Sequence, residues 1–265
     1  MYNTTYYAAT SLADAAAKIA ADGDAKFLSG GQTLLATMKQ RLAAPTMLID
    51  LTKLPELKGI SVEGDRLVIG AATKHAQVAS DATVKGAIPS LAGLAATIGD
   101  PAVRNMGTMG GSLANNDPAA DYPAAAMALD AIITTSKGEY KATDFFTGIF
   151  ETALDEDEII VKISYEIPKK AAYEKFRNPA SRYSLCSVFA AEVSGGPRIA
   201  VTGSGNEGVF RVPAMEEALT RGWTADAVTS VKIDPETMLS DMHGSAEYRA
   251  HLVAVLAGRA VAKAG

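Results

Sequence analysis

Apolar and polar positions follow two periods along this chain, and the changes between them mark out its elements. Leu12, Ala16, Ile19 and Ala20 fall on one side of a helix that Ser11 is placed to cap and Gly23 to stop. Residues 26–29 read as a short strand broken by Gly30-Gly31. A second amphipathic helix follows over 33–42, with Leu34, Leu35 and Met38 inward. Pro45 ends it and 47–50 is a strand, so the opening segment has β–α–β character with a glycine-rich strand-to-helix turn.

From Leu54 the pattern shifts. Residues 59–62 and 66–69 flank Glu63-Gly64-Asp65, a hairpin signal. Helices are expected over 74–80 and 89–98, then a long loop over 99–117, then an alanine-rich buried helix over 119–129. Residues 131–134 and 158–163 read as strands joined by a connector at 144–149. Pro168-Lys169-Lys170 is the best candidate for a domain boundary. Beyond it, strands at 173–176, 187–193 and 198–202 precede helices at 213–220 and 245–262, an α+β order.

Composition narrows the chemistry. The chain has 265 residues, enough for two or three modest domains, with 48% apolar and 21% charged residues. A net charge of -5 with scattered basic residues argues against nucleic acid. The one cysteine, Cys186, can hold neither a cluster nor a zinc ion alone, and His75, His243 and His251 are too irregularly spaced for a metal site. They read as surface or packing residues, so no metal is expected. No apolar run approaches the roughly 18 residues of a membrane span, and the N-terminus has neither a basic start nor an apolar run. A cytoplasmic protein is expected.

Three glycine-rich segments could bind a ligand. Ser29-Gly30-Gly31-Gln32-Thr33 sits between a strand and a helix, where converging N–H groups and the helix dipole favour an anion, though it also reads as an ordinary turn. The segment Gly107-Thr108-Met109-Gly110-Gly111-Ser112-Leu113-Ala114-Asn115-Asn116-Asp117 combines three glycines with hydroxyls and amides. That suits a polyol and a pyrophosphate, and equally a surface loop held by Asn and Asp turns. Gly203-Ser204-Gly205-Asn206-Glu207-Gly208 spells G-x-G-x-x-G, but Val209-Phe210-Arg211-Val212-Pro213 follows in place of a helix, so a hairpin turn is expected. Asp155-Glu156-Asp157-Glu158 reads as a solvated turn, and no Cys–His pair or G-x-S-x-G elbow is present, so no catalytic side chain is nominated.

Taken together, Phe27–Leu34 and Thr97–Asp121 resemble the two flavin-binding motifs of the FAD subunit of aerobic carbon monoxide dehydrogenase and of xanthine dehydrogenase-type hydroxylases. The likeness runs over almost the whole chain and includes Asp241-Met242-His243-Gly244-Ser245-Ala246-Glu247-Tyr248-Arg249. It implies an α+β fold of the vanillyl-alcohol-oxidase (PCMH) type: two FAD-binding subdomains at 1–53 and 54–168, and a C-terminal α+β domain at 169–265. It places Gly30, Gly31, Gln32 and Thr33 on the phosphates, and Thr108, Gly111, Ser112 and Asn115 along the flavin's polar chain. Leu28, Ser29, Leu34, Thr97, Gly107, Gly110 and Asp121 join the cofactor set. Tyr183 falls where such proteins stack an aromatic on the isoalloxazine ring. Arg104 and Lys175 are charged candidates nearby.

The resemblance further implies that FAD takes electrons from iron–sulfur clusters on a [2Fe-2S] small subunit. That subunit is fed by a molybdopterin-binding large subunit, and the external acceptor is a quinone or NAD. Gly99-Asp100 departs from paired glycines in some relatives, and Asn116 from a histidine or alanine. Two rival readings stand beside this one: a nicotinamide-dependent Rossmann dehydrogenase built on Gly203–Gly208, and a flavin-free assembly subunit.

Overall fold

The computed structural model describes residues 2–265. It opens with β1 (Thr5–Ala8), α1 (Leu12–Ala21), β2 (Lys26–Leu28), α2 (Leu34–Lys39) and β3 (Met47–Asp50), whose strands form a parallel sheet in the order β1-β3-β2. Ser11 caps α1 by accepting from Asp14 N–H, as its position predicts. The six-residue α2 is too short to persist alone and is anchored by Met38, 1% exposed, whose burial contributes about 2 kcal/mol. β1 had no visible signature. It is a four-residue edge strand whose Tyr6 stays 57% exposed, spending its hydroxyl on Asp50 Oδ2 at 2.6 Å.

The next unit contains β4 (Ile60–Glu63), β5 (Arg66–Gly70), α3 (His75–Ser80), α4 (Ala82–Ala87), α5 (Pro89–Ala96), α6 (Pro101–Arg104), α7 (Met109–Asn115) and α8 (Tyr122–Ala128). It continues with β6 (Ile132–Thr135), β7 (Glu139–Lys141), α9 (Ala142–Phe145), β8 (Phe146–Gly148), β9 (Glu151–Thr152) and β10 (Ile160–Glu166). Its antiparallel sheet has the order β4-β5-β10-β6-β7, with β8 and β9 a separate hairpin.

The expected loop over 99–117 is a correction, because it contains α6 and α7. Glycine and asparagine are poor helix formers, so α7 is invisible to propensity. It exists because Thr108 caps it and because Gly110 lies against Ala71, where a Cβ would sit 2.9 Å from the Ala71 carbonyl oxygen. Packing overrides local preference here.

The last unit is the antiparallel sheet β11 (Lys170–Arg177), β12 (Ser184–Val193), β13 (Gly196–Gly205) and β14 (Gly208–Arg211). It is followed by α10 (Pro213–Arg221), α11 (Ala225–Thr229) and α12 (Ala246–Ala264). Side chains of β12 alternate between two cores: Cys186, Val188 and Ala190 pack with Leu252, Val253 and Leu256 of α12, while Phe189, Ala191 and Val193 face the middle unit. The alanines of α8 are buried all round, which lets that helix sit closely between the C-terminal sheet, at β12, β13 and β14, and helices α5, α7 and α9 of the middle unit. Gly203–Gly208 is the hairpin expected, with Gly205 paired to Gly208 across the β13–β14 turn.

Candidate functional site

The two glycine-rich motifs meet. Ser29 Oγ lies 2.9 Å from Thr108 Oγ1, and a Cβ on Gly30 would come within 2.5 Å of the Met106 carbonyl oxygen and 2.6 Å of Gly107 Cα. Only a residue without a side chain permits that approach. Gly31 is needed for a second reason: its φ of +68° is in the left-handed region.

Around this junction opens a cavity of about 970 Å³, a size that suits a large cofactor. Leu28, Ser29, Gly30, Gly31, Gln32, Thr33 and Leu34 line it from the first motif. Gly107, Thr108, Gly110, Gly111, Ser112, Asn115 and Asp121 line it from the second, and Tyr183 joins them from the loop before β12. Thr97 is not brought to the wall. Its hydroxyl turns back to donate to Leu94 O at 2.7 Å, as a helix-end threonine can. Arg104 is likewise spent on Ile98 O and Gly99 O, at 2.9 and 3.0 Å.

Backbone polarity separates the two motifs sharply. No backbone carbonyl among the described residues accepts from the N–H groups of residues 30–34, and Thr33 makes no side-chain cap bond. That run of donors at the start of α2 is receptive to an anion. In the second motif the N–H groups are already committed: Met109 to Thr73 O, Gly110 to Ala71 O, Gly111 to Thr108 Oγ1 and Ser112 to Thr108 O. What α7 offers the cavity is therefore close approach at Gly111 and the side chains of Ser112 and Asn115, three residues apart on one face.

A buried ion pair forms another part of the wall. Lys175 Nζ is 2.8 Å from the Asp121 carboxylate, with side chains 4% and 6% exposed, and Tyr173 donates its hydroxyl to the same carboxylate. Burial, with Asp121 beside it, pushes the Tyr173 phenol far above its usual range, so it stays a donor. Tyr183, 60% exposed, is raised by partial burial and by the negative charges of Asp117 and Asp121.

Several wall residues carried no sequence signal. Leu51, Leu57, Ala72 and Ile159, from three segments, give the cavity an apolar stretch. His75 is 5% exposed, donates its backbone N–H to Gly107 O at 3.0 Å and backs Gly107 with its ring. Burial, and secondarily the Arg104 cation, pulls its pKa down to about 4, so it is neutral near pH 7. As expected it is a packing residue, but one that packs in the cavity wall.

The acidic run divides. Lys137 Nζ lies 2.8 Å from Asp155 and 2.5 Å from Asp157 at the surface. Glu158, by contrast, is 4% exposed and accepts from the Thr135 and Tyr140 hydroxyls and Asp155 N–H. Asp155, Glu156 and Glu158 also reach the cavity wall, which a simple solvated turn does not predict. Cys186 is buried, and its thiol is pushed up to about 12 by that burial, which leaves it unreactive. No cluster of metal-ligating side chains occurs among the described residues. No helix among them is long and apolar enough to cross a membrane.

Residues 2–170 match the family described as FAD binding domain in molybdopterin dehydrogenase. The chain is 32% identical to the nicotine 6-hydroxylase medium subunit of Paenarthrobacter nicotinovorans, covering 98% of this chain and 96% of that one. It is 34% identical to the carbon monoxide dehydrogenase medium chain of Hydrogenophaga pseudoflava, covering 97% and 95%. The solved structure of carbon monoxide dehydrogenase from the same organism superposes with a TM-score of 0.87 at 33% identity, over 99% of this chain and 97% of that one.

Proposed function

From the premise that the chain belongs to the FAD-binding family of molybdopterin dehydrogenases and is a medium, FAD-binding subunit of an oxidoreductase, we propose that it relays electrons within a molybdenum hydroxylase complex. Its donor in this reading is a [2Fe-2S] small subunit, fed by a molybdopterin-binding large subunit. Its acceptor is an external quinone or NAD. FAD supplies the step between one-electron donors and a two-electron acceptor. The medium subunits it resembles serve complexes named for substrates as different as nicotine and carbon monoxide. The substrate pocket in this reading lies on the large subunit.

The single observation that carries the cofactor assignment is the junction at Gly30 and Gly107. It opens the free N–H groups of residues 30–34 to the same cavity as Ser112 and Asn115. A diphosphate fits the first group and a polyol the second. In this reading Gly30, Gly31, Gln32, Thr33 and Leu34 hold the diphosphate. Ser29 and Thr108 fix the two motifs to each other, and Gly111, Ser112 and Asn115 bind the polar chain. Leu28 gives apolar contact, Gly107 and Gly110 let the backbones close, and Asp121 with Lys175 orients the flavin beneath Tyr183. Thr97 is left out of the set.

The rival reading on Gly203–Gly208 has nothing in its favour, since those glycines turn a hairpin that does not line the cavity. Affinity purification of the tagged chain from its source tests the proposal. Recovery with a molybdenum-containing large chain and an iron–sulfur small chain is expected. Recovery as a lone flavoprotein, with no metal on any accompanying chain, would overturn it.

A further inference from the structure

We propose that Asn116 is a positioning residue for the cofactor, a clasp that fixes the rotation of α7 by gripping the β8–β9 hairpin. This rests on the FAD reading above and assigns a role to a residue outside the cavity wall. Asn116 directly follows α7 and adopts the left-handed conformation, with φ 41° and ψ 47°. That geometry alone is served by glycine, which ends helices more readily. An asparagine with 2% exposure implies a use for its side chain.

The use is visible. Both amide donors of Asn116 are taken, by Gly148 O at 2.8 Å and Glu151 O at 2.9 Å, the two residues that flank the hairpin tip. In return Phe150 N–H donates to Asn116 O at 3.1 Å. Three hydrogen bonds thus join one residue to one hairpin. The tip is itself constrained, because Phe150 holds φ at +58° while its ring stays 57% exposed.

The consequence falls on α7. Its first turn is fixed by Thr108, Ala71 and Thr73, as described, and Asn116 fixes its other end. Between those anchors stand Ser112 and Asn115, the two polar side chains that α7 turns to the cavity. A helix of seven residues has too few internal bonds to hold its own orientation. Releasing the distal anchor lets the helix roll, and the side chain nearest to it, Asn115, moves most.

The test compares the full-length chain with Asn116→Gly, which keeps the left-handed backbone but removes both donors. Asn116→Asp, which keeps the shape and removes the same donors, decides the question if the glycine variant does not fold. Each is titrated with FAD, and the visible circular dichroism of the bound flavin is recorded. Loss of the two buried bonds is expected to raise the FAD dissociation constant about tenfold and to change the visible dichroism, which a merely less stable fold would leave alone. A dichroism band superimposable on the parent's overturns the proposal, whatever the affinity. A parent chain that takes up no FAD sinks the cofactor reading instead, so the two failures are distinguishable.

Discussion

Ser29 and Thr108, 79 positions apart in the chain, share a 2.9 Å hydrogen bond, while Thr108 also accepts from Gly111 N–H to cap α7. One hydroxyl thus closes the junction and starts the helix that carries Ser112 and Asn115. Thr108→Val keeps the shape and removes both bonds. Loss of the cap is expected to cost about 1 kcal/mol of stability, with FAD affinity weakened beside it. Chemical denaturation of the apo chain and FAD titration read the two effects separately.

The glycines divide by function. Gly30→Ala forces a methyl group against the Met106 carbonyl and the Gly107 backbone, which cannot retreat without opening the junction. Gly31→Ala adds about 1 kcal/mol of left-handed backbone strain and crowds Leu35. Both variants are expected to purify with depleted FAD. Gly205→Ala crowds Gly208 in the hairpin and lowers stability, yet FAD per folded chain is expected to stay unchanged. Flavin absorbance relative to protein checks all three, and a colourless Gly205→Ala chain would revive the dinucleotide reading of that segment.

Asp121 and Lys175 are a buried pair, and removing one member leaves the other uncompensated. Lys175→Met is expected to destabilise the chain by about 3 kcal/mol or more. Asp121→Asn combined with Lys175→Met removes both charges and is expected to recover much of that loss. A double-mutant cycle by urea unfolding measures the coupling. Additive losses would mean that the pair does not interact.

His75 gives a pH dependence with a definite sign. Its pKa falls from 6.5 unfolded to about 4 folded, so between those values the unfolded chain binds more protons. The stability from keeping His75 neutral is whole above pH 6.5 and is lost as pH falls toward 4. It amounts to about 3 kcal/mol. His75→Gln is expected to remove that part of the slope, and urea unfolding of both chains from pH 7 to pH 4 reads the difference. Carboxylates such as Asp14 and Asp50 add slopes of their own, which the comparison subtracts.

Much of the fold was legible wherever local chemistry and packing agree. Ser11 caps α1, and the apolar run within 187–193 becomes β12, a central strand buried on both faces. It was illegible where they disagree. α7 hides behind two glycines and an asparagine because its stability comes from Thr108, Ala71 and the hairpin. β1 hides because it is a four-residue edge strand with Tyr6 exposed and Tyr7 only half-buried.

The candidate site follows the same rule. The motif residues are contiguous in sequence and could be named. Leu51, Leu57, His75 and Ile159 reach the wall only through the tertiary fold, and Thr97 shows that lying within a motif does not place a side chain on the wall.

The central claim is that this chain holds FAD at the junction of its two glycine-rich motifs. The most direct measurement is the visible spectrum of the purified chain, titrated with FAD and passed through gel filtration, beside Gly111→Leu. The account predicts one FAD retained per parent chain and a colourless Gly111→Leu, whose added side chain meets Thr108 Oγ1 at 2.9 Å. A parent chain that stays colourless, or a Gly111→Leu chain that holds FAD equally well, would contradict it.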